Sequence, residues 1–257
     1  MSALTACHLG PTPYRDGLRL QEALVNARAE GRTGDWLLFP DHPPVLTVGR
    51  GASPGSLIAD PAALAARGIE RFEVTRGGDI TWHGPGQLVG YCVCDLSRQD
   101  RDLHRFLRSL EGGLIDALEG FGIQSESVPG LTGVWTAGAL EASASGPVGP
   151  TGGEAERKIA SIGVHISRGV TTHGFAINVN NDLEPFEWIV PCGIESCQMT
   201  SLSRELGAEQ DLYAFATTVR DRFGQIYGRV PVEMSAGELA ERVHGVGALA
   251  GTPATLR

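Results

Sequence analysis

The sequence predicts an α/β (α+β) fold, built as a mixed sheet with flanking helices. Segments with apolar residues at helical spacing alternate irregularly with short apolar strands, and several neighbouring strands are separated by turns short enough for hairpins. The chain has 257 residues, of which 42% are hydrophobic and 20% charged, so it can bury a large core. We expect one domain over residues 1–230, followed by a weakly patterned tail over 231–257.

Each helix is predicted from apolar residues along one side, and each strand from a short apolar run between turn residues. Pro43 and Pro44 interrupt both helix and strand pairing, and Asp60 before Pro61 is typical of a helix start. In chain order we expect a helix over 15–30, strands over 35–39 and 45–48, a helix over 60–67, strands over 70–74 and 87–96, a helix over 101–120, strands over 123–128, 131–135, 159–166 and 174–179, and a helix over 212–226.

Residues 136–157 differ in composition from the rest of the chain. They consist mainly of Ala, Gly, Ser, Pro and Glu, with almost no large apolar side chain. Such a segment buries too little surface to offset the entropy lost on ordering. We therefore predict a mobile insertion here, and a flap near a docking site is one hypothesis for its role.

Composition and cysteine usage exclude several classes of function. The formal charge of −9 argues against a nucleic-acid partner. No apolar run approaches the roughly 18 residues of a membrane span, and no signal peptide is recognisable, so we expect a cytoplasmic protein without membrane contact. The five cysteines are an odd number and indicate a reducing compartment, and no four suitably spaced ligands predict a metal site.

Lysine is used once in this chain. Of the 21 basic residues, 20 are arginines and Lys158 is the remaining one. Arginine is a planar, permanently charged fork, whereas lysine is a compact ammonium that can take part in proton transfer. A position that keeps lysine while arginine serves elsewhere is a candidate for a chemical role.

A glycine-rich stretch over residues 76–91 is the strongest candidate for a substrate site. Its glycines let the backbone approach a ligand, and Arg76, Thr81, His83 and Gln87 stand between them beside a predicted buried strand. The stretch lacks the Gly-Lys-Ser/Thr ending of a phosphate-binding loop and does not fit the dinucleotide fingerprint. It remains open whether His83 transfers protons or only positions a substrate.

Cys192 is the candidate nucleophile, because Pro191 and Gly193 form a tight turn that can expose its sulfur. A free thiol has a pKa of about 8.5, and a neighbouring ammonium favours the reactive thiolate. The one lysine is therefore the natural partner, which predicts a Cys192–Lys158 dyad. Cys197 lacks the Pro/Gly frame, and the other three cysteines are expected to be buried and inert.

Several motifs, in order over roughly residues 15–227, resemble those of one enzyme family, the octanoyltransferases of lipoate biosynthesis. The glycine-rich stretch matches the family signature of Arg-Gly-Gly, then Thr-aromatic-His, then Gly-Gln and Tyr. The other matching segments are His42-Pro43-Pro44-Val45, Thr47-Val48-Gly49-Arg50, Thr132-Gly133-Val134-Trp135, Lys158-Ile159-Ala160-Ser161-Ile162-Gly163, Thr172-His173-Gly174-Phe175-Ala176-Ile177-Asn178-Val179, Pro191-Cys192-Gly193-Ile194 and Thr200-Ser201-Leu202.

The resemblance implies the fold of the biotin and lipoate protein ligase catalytic domain and an acyltransferase activity. It implies that octanoyl passes from octanoyl-acyl carrier protein to a thioester on Cys192, assisted by Lys158, and then to a lysine of a lipoyl domain. Acceptors would be 2-oxoacid dehydrogenase complexes and the glycine cleavage H protein, with no cofactor, and we expect a monomer. The implied substrate-binding residues are Arg76, Gly77, Gly78, Asp79, Ile80, Thr81, Trp82, His83, Ser161, Ile162, Gly163, Gly174, Phe175 and Ala176.

Three other functions fit parts of the pattern. A lipoate or biotin protein ligase would need the lysine and ATP but no nucleophilic cysteine. A thioesterase would form the same acyl-enzyme and use water as acceptor. A non-enzymatic module that binds acyl carrier protein would need neither Cys192 nor Lys158.

Overall fold

The computed structural model describes residues 3–97, 102–136, 157–190 and 197–245. Within these ranges the chain forms twelve strands, six α-helices and one 3-10 helix. In order they are β1 (Leu4–Pro11), α1 (Tyr14–Ala29), β2 (Asp35–Asp41), β3 (Val45–Val48), α2 (Pro61–Ala66), β4 (Glu70–Glu73), β5 (Ile80–His83), β6 (Gln87–Val93), α3 (Leu103–Gly120), β7 (Ser125–Val128), β8 (Leu131–Thr136), β9 (Arg157–Ser167), β10 (Val170–Asn178), the 3-10 helix (Glu184–Trp188), β11 (Gln198–Met199), α4 (Leu202–Leu206), α5 (Leu212–Ile226), β12 (Val232–Glu233) and α6 (Ala236–Gly245).

Nine of these strands form one mixed sheet, in the order β12-β1-β2-β6-β10-β9-β8-β7 with β11 beside β9. The β1–β2, β1–β12 and β9–β11 pairs are parallel, whereas the β2–β6, β6–β10, β10–β9, β9–β8 and β8–β7 pairs are antiparallel. A smaller sheet has the order β4-β3-β5. The combination of parallel and antiparallel pairs confirms the predicted mixed sheet.

Helices cover both faces of the large sheet. Alternate residues of a strand point to opposite faces, and central β6 follows this rule: Leu88 and Cys92 lie in one core cluster, and Val89 and Tyr91 in another. The first cluster is completed by α3 and α5, and the second by α1 and α6. A strand buried on both faces has a nearly continuous apolar sequence, which explains the unbroken run from residue 88 to 94.

The C-terminal part differs from the expected weakly patterned tail. Val232 pairs with Thr5 at the sheet edge, and Leu239 and Val243 of α6 are buried against α1. The expected tail therefore contains a strand and a helix as far as residue 245, and two apolar side chains of that helix are buried. Residues 246–257 lie outside the described part of the chain.

The predicted insertion over 136–157 also lies mostly outside the described residues. Its two ends, Thr136 on β8 and Arg157 on β9, are paired neighbours in the sheet. Arg157 forms an ion pair with Glu205 of α4, with Nε–Oε1 and Nη2–Oε2 both at 2.9 Å. The start of β9 is thus held in place independently of the residues that precede it.

Among the helices in the described part of the chain, none combines the length and apolar composition needed to cross a membrane.

Candidate active site

A pocket opens where β5, β6, β9 and β10 meet the loop that precedes β5. Its cavity volume is about 60 Å³, and the space around it is partly open to solvent. Every predicted substrate-binding residue except Gly77 and Trp82 lines it. The lining comprises Tyr14, Arg76, Gly78, Asp79, Ile80, Thr81, His83, Val89, Tyr91, Lys158, Ser161, Ile162, Gly163, His173, Gly174, Phe175 and Ala176.

The two exceptions have different surroundings. Gly77 lines a neighbouring cavity of about 290 Å³, which also contacts Lys158 and Thr132. Trp82 instead packs in the core of the small sheet, edge-on to Trp188 with ring centroids 5.7 Å apart. Successive strand residues point to opposite sides, so a site that uses His83 of β5 turns Trp82 away from it.

Lys158 is buried at the junction of the two cavities, with 1% of its surface exposed. Its ammonium nitrogen Nζ donates a hydrogen bond to the carbonyl oxygen of Thr132 at 3.1 Å. The same nitrogen lies 5.2 Å from the centre of the Trp135 ring, within reach of a cation–π attraction. Burying an ammonium is unfavourable unless such partners replace water, and the Thr132 carbonyl and the Trp135 ring supply that replacement here.

Cys192 lies outside the described residues, together with Pro191 and Gly193. On the N-terminal side of this gap, the Val190 amide donates to the Ser56 carbonyl at 2.8 Å. On the C-terminal side, Met199 pairs with Lys158 in a short parallel ladder. Both flanks of the predicted nucleophile are therefore tied to elements around the pocket.

The loop over residues 76–79 is held by buried polar groups. Nη2 of Arg76 donates to the carbonyl and hydroxyl oxygens of Thr47, at 2.7 and 2.9 Å. The Asp79 carboxylate accepts from the Ile80 amide at 2.7 Å and from the Ser56 hydroxyl at 2.8 Å. These contacts show that Arg76 and Asp79, besides lining the pocket, fix the shape of its glycine-rich wall.

His83 is held as a neutral ring. The side-chain nitrogen of Gln87 donates to Asn178, which leaves the Gln87 oxygen to accept from Nδ1 of His83 at 2.8 Å. Burial, reinforced by nearby His42, lowers the pKa of His83 to about 3. A histidine this weakly basic is a poor proton acceptor near neutral pH, which favours the positioning role over proton transfer.

His42 and His173 are also neutral. Nδ1 of His42 donates to the Thr12 carbonyl at 2.7 Å, so its Nε2 accepts from the Tyr91 hydroxyl at 2.6 Å. Burial lowers the pKa of each of these histidines to about 4. His173 has a left-handed backbone with φ 60°, and its amide donates to the side-chain oxygen of Gln21 at 2.6 Å. Such strain persists only where surrounding contacts impose it, and here it precedes Gly174 in the pocket wall.

One wall of the pocket is apolar because glycine leaves room for an aromatic ring. Phe175 on β10 faces Gly90 on β6, and a Cβ added at Gly90 would lie 2.1 Å from the ring. Ile162 and Val89 contribute further apolar surface.

The sequence did not single out three groups of the site. The side chains of Tyr14 and Val89 gave only apolar patterns typical of a core, and the Thr132 carbonyl is a backbone group.

Within the described residues, no three His, Cys, Asp or Glu side chains converge in a way that could hold a metal ion. Burial raises the pKa of Cys7 to about 12 and that of the Cys92 and Cys94 thiols further above the usual range. All three are buried and poorly reactive, as expected. Cys197 is partly buried, with its sulfur 4.0 Å from that of Met199.

The arrangement of pocket, buried lysine and glycine-rich wall can be compared with known proteins. Residues 13–224 match the family model described as the lipoyl protein ligase A/B catalytic domain. The chain is 44% identical to an octanoyltransferase of Acidobacterium capsulatum, over 88% of this chain and 90% of the relative. It is 46% identical to an octanoyltransferase of Chloroflexus aggregans, over 80% and 87%. The chain belongs to the octanoyltransferase family.

This chain spans only part of the length of one octanoyltransferase relative. The match to the Myxococcus xanthus octanoyltransferase, at 41% identity, covers 88% of this chain but spans only 60% of that protein. The sequence resemblance to octanoyltransferases is thus confirmed across most of the chain, and it includes the segments that build the pocket.

Solved structures confirm the predicted fold. Lipoate-protein ligase A bound with ATP has a TM-score of 0.68 and 17% identity, covering 96% of this chain and 94% of that one. A bi-partite lipoate protein ligase from Thermoplasma acidophilum has a TM-score of 0.67 and 14% identity, covering 96% and 92%. At such identities the likeness concerns the fold alone, so the division between transferase and ligase chemistry rests on the sequence relatives and on the site.

Proposed function

We propose that this octanoyltransferase takes its acyl group from octanoyl-acyl carrier protein and passes it, through a Cys192 thioester, to a lysine of a lipoyl domain. Lys158 assists both half-reactions. The observation that carries the proposal is the burial of the chain's one lysine, which lines a partly apolar pocket and is held by the Thr132 carbonyl and the Trp135 ring. The reaction would be the first step of protein lipoylation.

In the first half-reaction, the Cys192 thiolate attacks the thioester carbonyl of the donor. A new carbon–sulfur bond forms, the bond to the carrier thiol breaks, and the departing thiolate takes a proton from the Lys158 ammonium. Neutral Lys158 is then ready to act as a base. Thioester exchange is nearly balanced in energy, so this step requires no nucleotide.

In the second half-reaction, the amine of the acceptor lysine attacks the octanoyl-Cys192 carbonyl. Lys158 takes the proton that this amine releases, and the Cys192 thiolate departs. The product is an octanoyl amide, and the thiolate–ammonium pair is restored. Conversion of a thioester to an amide is downhill, which draws the whole sequence forward.

The contacts of the flanking residues support the assignment of Cys192. It follows Val190 by two residues, a span of at most about 7 Å. Val190 is bonded to Ser56, whose hydroxyl donates to the Asp79 carboxylate in the pocket wall. The residue two positions before Cys192 is thus linked through Ser56 to the pocket wall, which supports the assignment of this cysteine as the nucleophile.

The pocket walls suit an octanoyl chain. Phe175, Ile162 and Val89 offer an apolar surface, and Gly78, Gly163 and Gly174 leave space between the strands. The neutral states of His83 and His42 keep the interior free of histidine charge. We assign Arg76 and Asp79 to shaping the wall, because Arg76 donates to the Thr47 carbonyl and Asp79 accepts from the Ile80 amide.

The partners of this reaction are an acyl carrier protein and lipoyl domains. The family membership supports both partner classes. Four finer points stay predictions. They are the choice among 2-oxoacid dehydrogenase complexes and the glycine cleavage H protein, the monomeric state, the single domain over residues 1–230 and the cytoplasmic location.

The test is a transfer assay with a purified lipoyl domain, comparing octanoyl-acyl carrier protein without ATP against octanoate with ATP. The proposal expects octanoylation only from the carrier-bound donor, and loss of transfer in Cys192→Ser. Modification that requires octanoate and ATP would instead indicate a ligase. Release of octanoate at the same rate with and without lipoyl domain would indicate a thioesterase.

A further inference from the structure

We propose that Glu111, a buried carboxylate on α3, is a positioning residue that fixes the Lys158 ammonium through one peptide group of β8. The inference rests on the proposed function, since it assigns a further residue to the site of Lys158. Glu111 lies within the apolar stripe of α3, between Leu110 and Leu114, and has 1% of its surface exposed. A carboxylate in a core position is unfavourable unless specific partners compensate for the lost water.

Two partners hold the Glu111 carboxylate. Its Oε1 accepts a hydrogen bond from the Gly133 amide at 3.0 Å, inside the protein. Its Oε2 accepts from Nη1 of Arg108 at 2.5 Å, and Arg108 is about half exposed. The arginine contact reaches toward solvent, whereas the amide contact points toward β8, so the carboxylate joins α3 to this strand.

The Gly133 amide belongs to the same peptide group as the Thr132 carbonyl. That carbonyl oxygen accepts the hydrogen bond from Nζ of Lys158 at 3.1 Å. In a planar trans peptide the N–H and C=O point in opposite directions. The carboxylate therefore binds one end of the peptide group and the ammonium binds the other, and hydrogen bonds in such a chain strengthen each other.

The backbone of Gly133 is shaped for this contact. Its φ is +137°, and an added Cβ would lie 2.6 Å from the Ala160 carbonyl oxygen and 2.7 Å from Cε of Lys158. The ladder between β8 and β9 shifts register beside it, between Val134 and Trp135. Irregularities of this kind redirect side chains near active sites, and here the peptide passes directly over the lysine side chain. A fixed orientation of the 132–133 peptide requires a fixed acceptor for its amide, which Glu111 provides.

Three substitutions at Glu111 distinguish the effect of side-chain length from the effect of charge. Glu111→Gln keeps the length of the side chain and an oxygen that can accept from the Gly133 amide, but removes the charge. Glu111→Asp keeps the charge but is one methylene shorter, so its carboxylate falls short of the amide. Glu111→Leu removes the acceptor, and Glu119→Leu, at an exposed position of the same helix, is the matched control.

Because the chain contains one lysine, protein labelled with ¹³C-lysine gives a single set of lysine side-chain NMR signals. The parent signal should be shifted by the Trp135 ring, which lies 5.2 Å from Nζ. We expect Glu111→Asp and Glu111→Leu to move this signal toward that of an exposed lysine. Glu111→Gln and Glu119→Leu should leave it near its parent position.

The same variants are then tested for the rate of octanoyl-adduct formation with octanoyl-acyl carrier protein. We expect a loss of about tenfold or more in Glu111→Asp and Glu111→Leu, and rates close to the parent in Glu111→Gln, because small misplacements of a reacting group have large effects on rate. If Glu111→Leu does not fold, the difference in rate and lysine signal between Glu111→Asp and Glu111→Gln still tests the positioning role.

The outcomes distinguish this inference from the proposed function. A parent-like lysine signal in Glu111→Asp, or a displaced signal in Glu111→Gln alone, would overturn the positioning role. A displaced signal in Glu111→Asp with an unchanged rate would support the positioning of Lys158 while contradicting its part in the proposed reaction.

Discussion

The apolar wall of the pocket makes a quantitative prediction for Gly90→Ala. The new Cβ would lie 2.1, 2.5 and 2.6 Å from three carbons of the Phe175 ring. Carbon atoms in normal contact are about 3.5–4.0 Å apart, so the ring has to move by about 1.5 Å or the strands have to separate. Overpacking of this kind costs about 1–3 kcal/mol of unfolding free energy.

A double-mutant cycle isolates the clash. Phe175→Ala alone should cost about 3–5 kcal/mol, since the ring is buried. Together with Gly90→Ala the clash disappears and the new methyl group fills part of the cavity. The double variant should therefore be less destabilised than the sum of the single variants, by about 1–3 kcal/mol.

The assays are urea unfolding and transfer kinetics. Displacement of the ring narrows the pocket, so Gly90→Ala should also raise KM for octanoyl-acyl carrier protein. The matched control is Gly112→Ala on α3, where no atom lies within 4 Å of the added Cβ, and this change should stabilise the helix by up to about 1 kcal/mol. Parent-like stability and KM in Gly90→Ala, or additive single effects in the cycle, would refute this account of the wall.

Two further predictions concern the polar side of the pocket. The folded-state pKa values of about 3 for His83 and 4 for His42 lie below the unfolded value of about 6.5. Because the unfolded chain therefore binds more protons in acid, the contribution of these histidines to the unfolding free energy is fully present above pH 6.5 and falls as the pH drops toward 4. At pH 5 the unfolding free energy should be lower by about 2 kcal/mol per histidine, seen as a lower urea midpoint than at pH 7.5. His42→Gln should flatten this pH dependence, whereas His104→Gln, at an exposed position, should not. A urea midpoint independent of pH would contradict the neutral state of the buried histidines. Gly49→Ala would place a Cβ 2.3 Å from the Gly78 carbonyl oxygen. We expect it to lower the unfolding free energy by about 1–3 kcal/mol and to abolish octanoyl transfer. Normal transfer in this variant would show that the loop over residues 76–79 can shift without consequence.

The pocket residues were largely predictable because they lie in contiguous motifs. Glycines and small polar residues around Arg76, Ser161 and Phe175 occur in three separated segments, and the sheet order brings these segments together. The single lysine was a signal of composition alone, and its burial agrees with a chemical role. A motif gives the residues of a strand but not the side to which each one points, so the sequence did not reveal that Trp82 lies outside the pocket.

The remaining features depend on tertiary pairing. The strands over Leu4–Pro11 and Val232–Glu233 were not predicted, since both are defined by pairing in the sheet: the first pairs with β2 on one side and with the second on the other. The neutral state of His83 depends on burial and on the orientation of Gln87, and the role of Glu111 depends on a backbone amide from another element. No local signal in the sequence contains these contacts.

The most direct measurement is the intact mass of the protein after mixing with octanoyl-acyl carrier protein in the absence of ATP. We expect an octanoyl adduct on the parent that hydroxylamine removes, no such thioester in Cys192→Ser, and slower formation in Lys158→Arg. A parent that remains unmodified, or a hydroxylamine-sensitive adduct that persists in Cys192→Ser, would contradict acyl transfer through this cysteine.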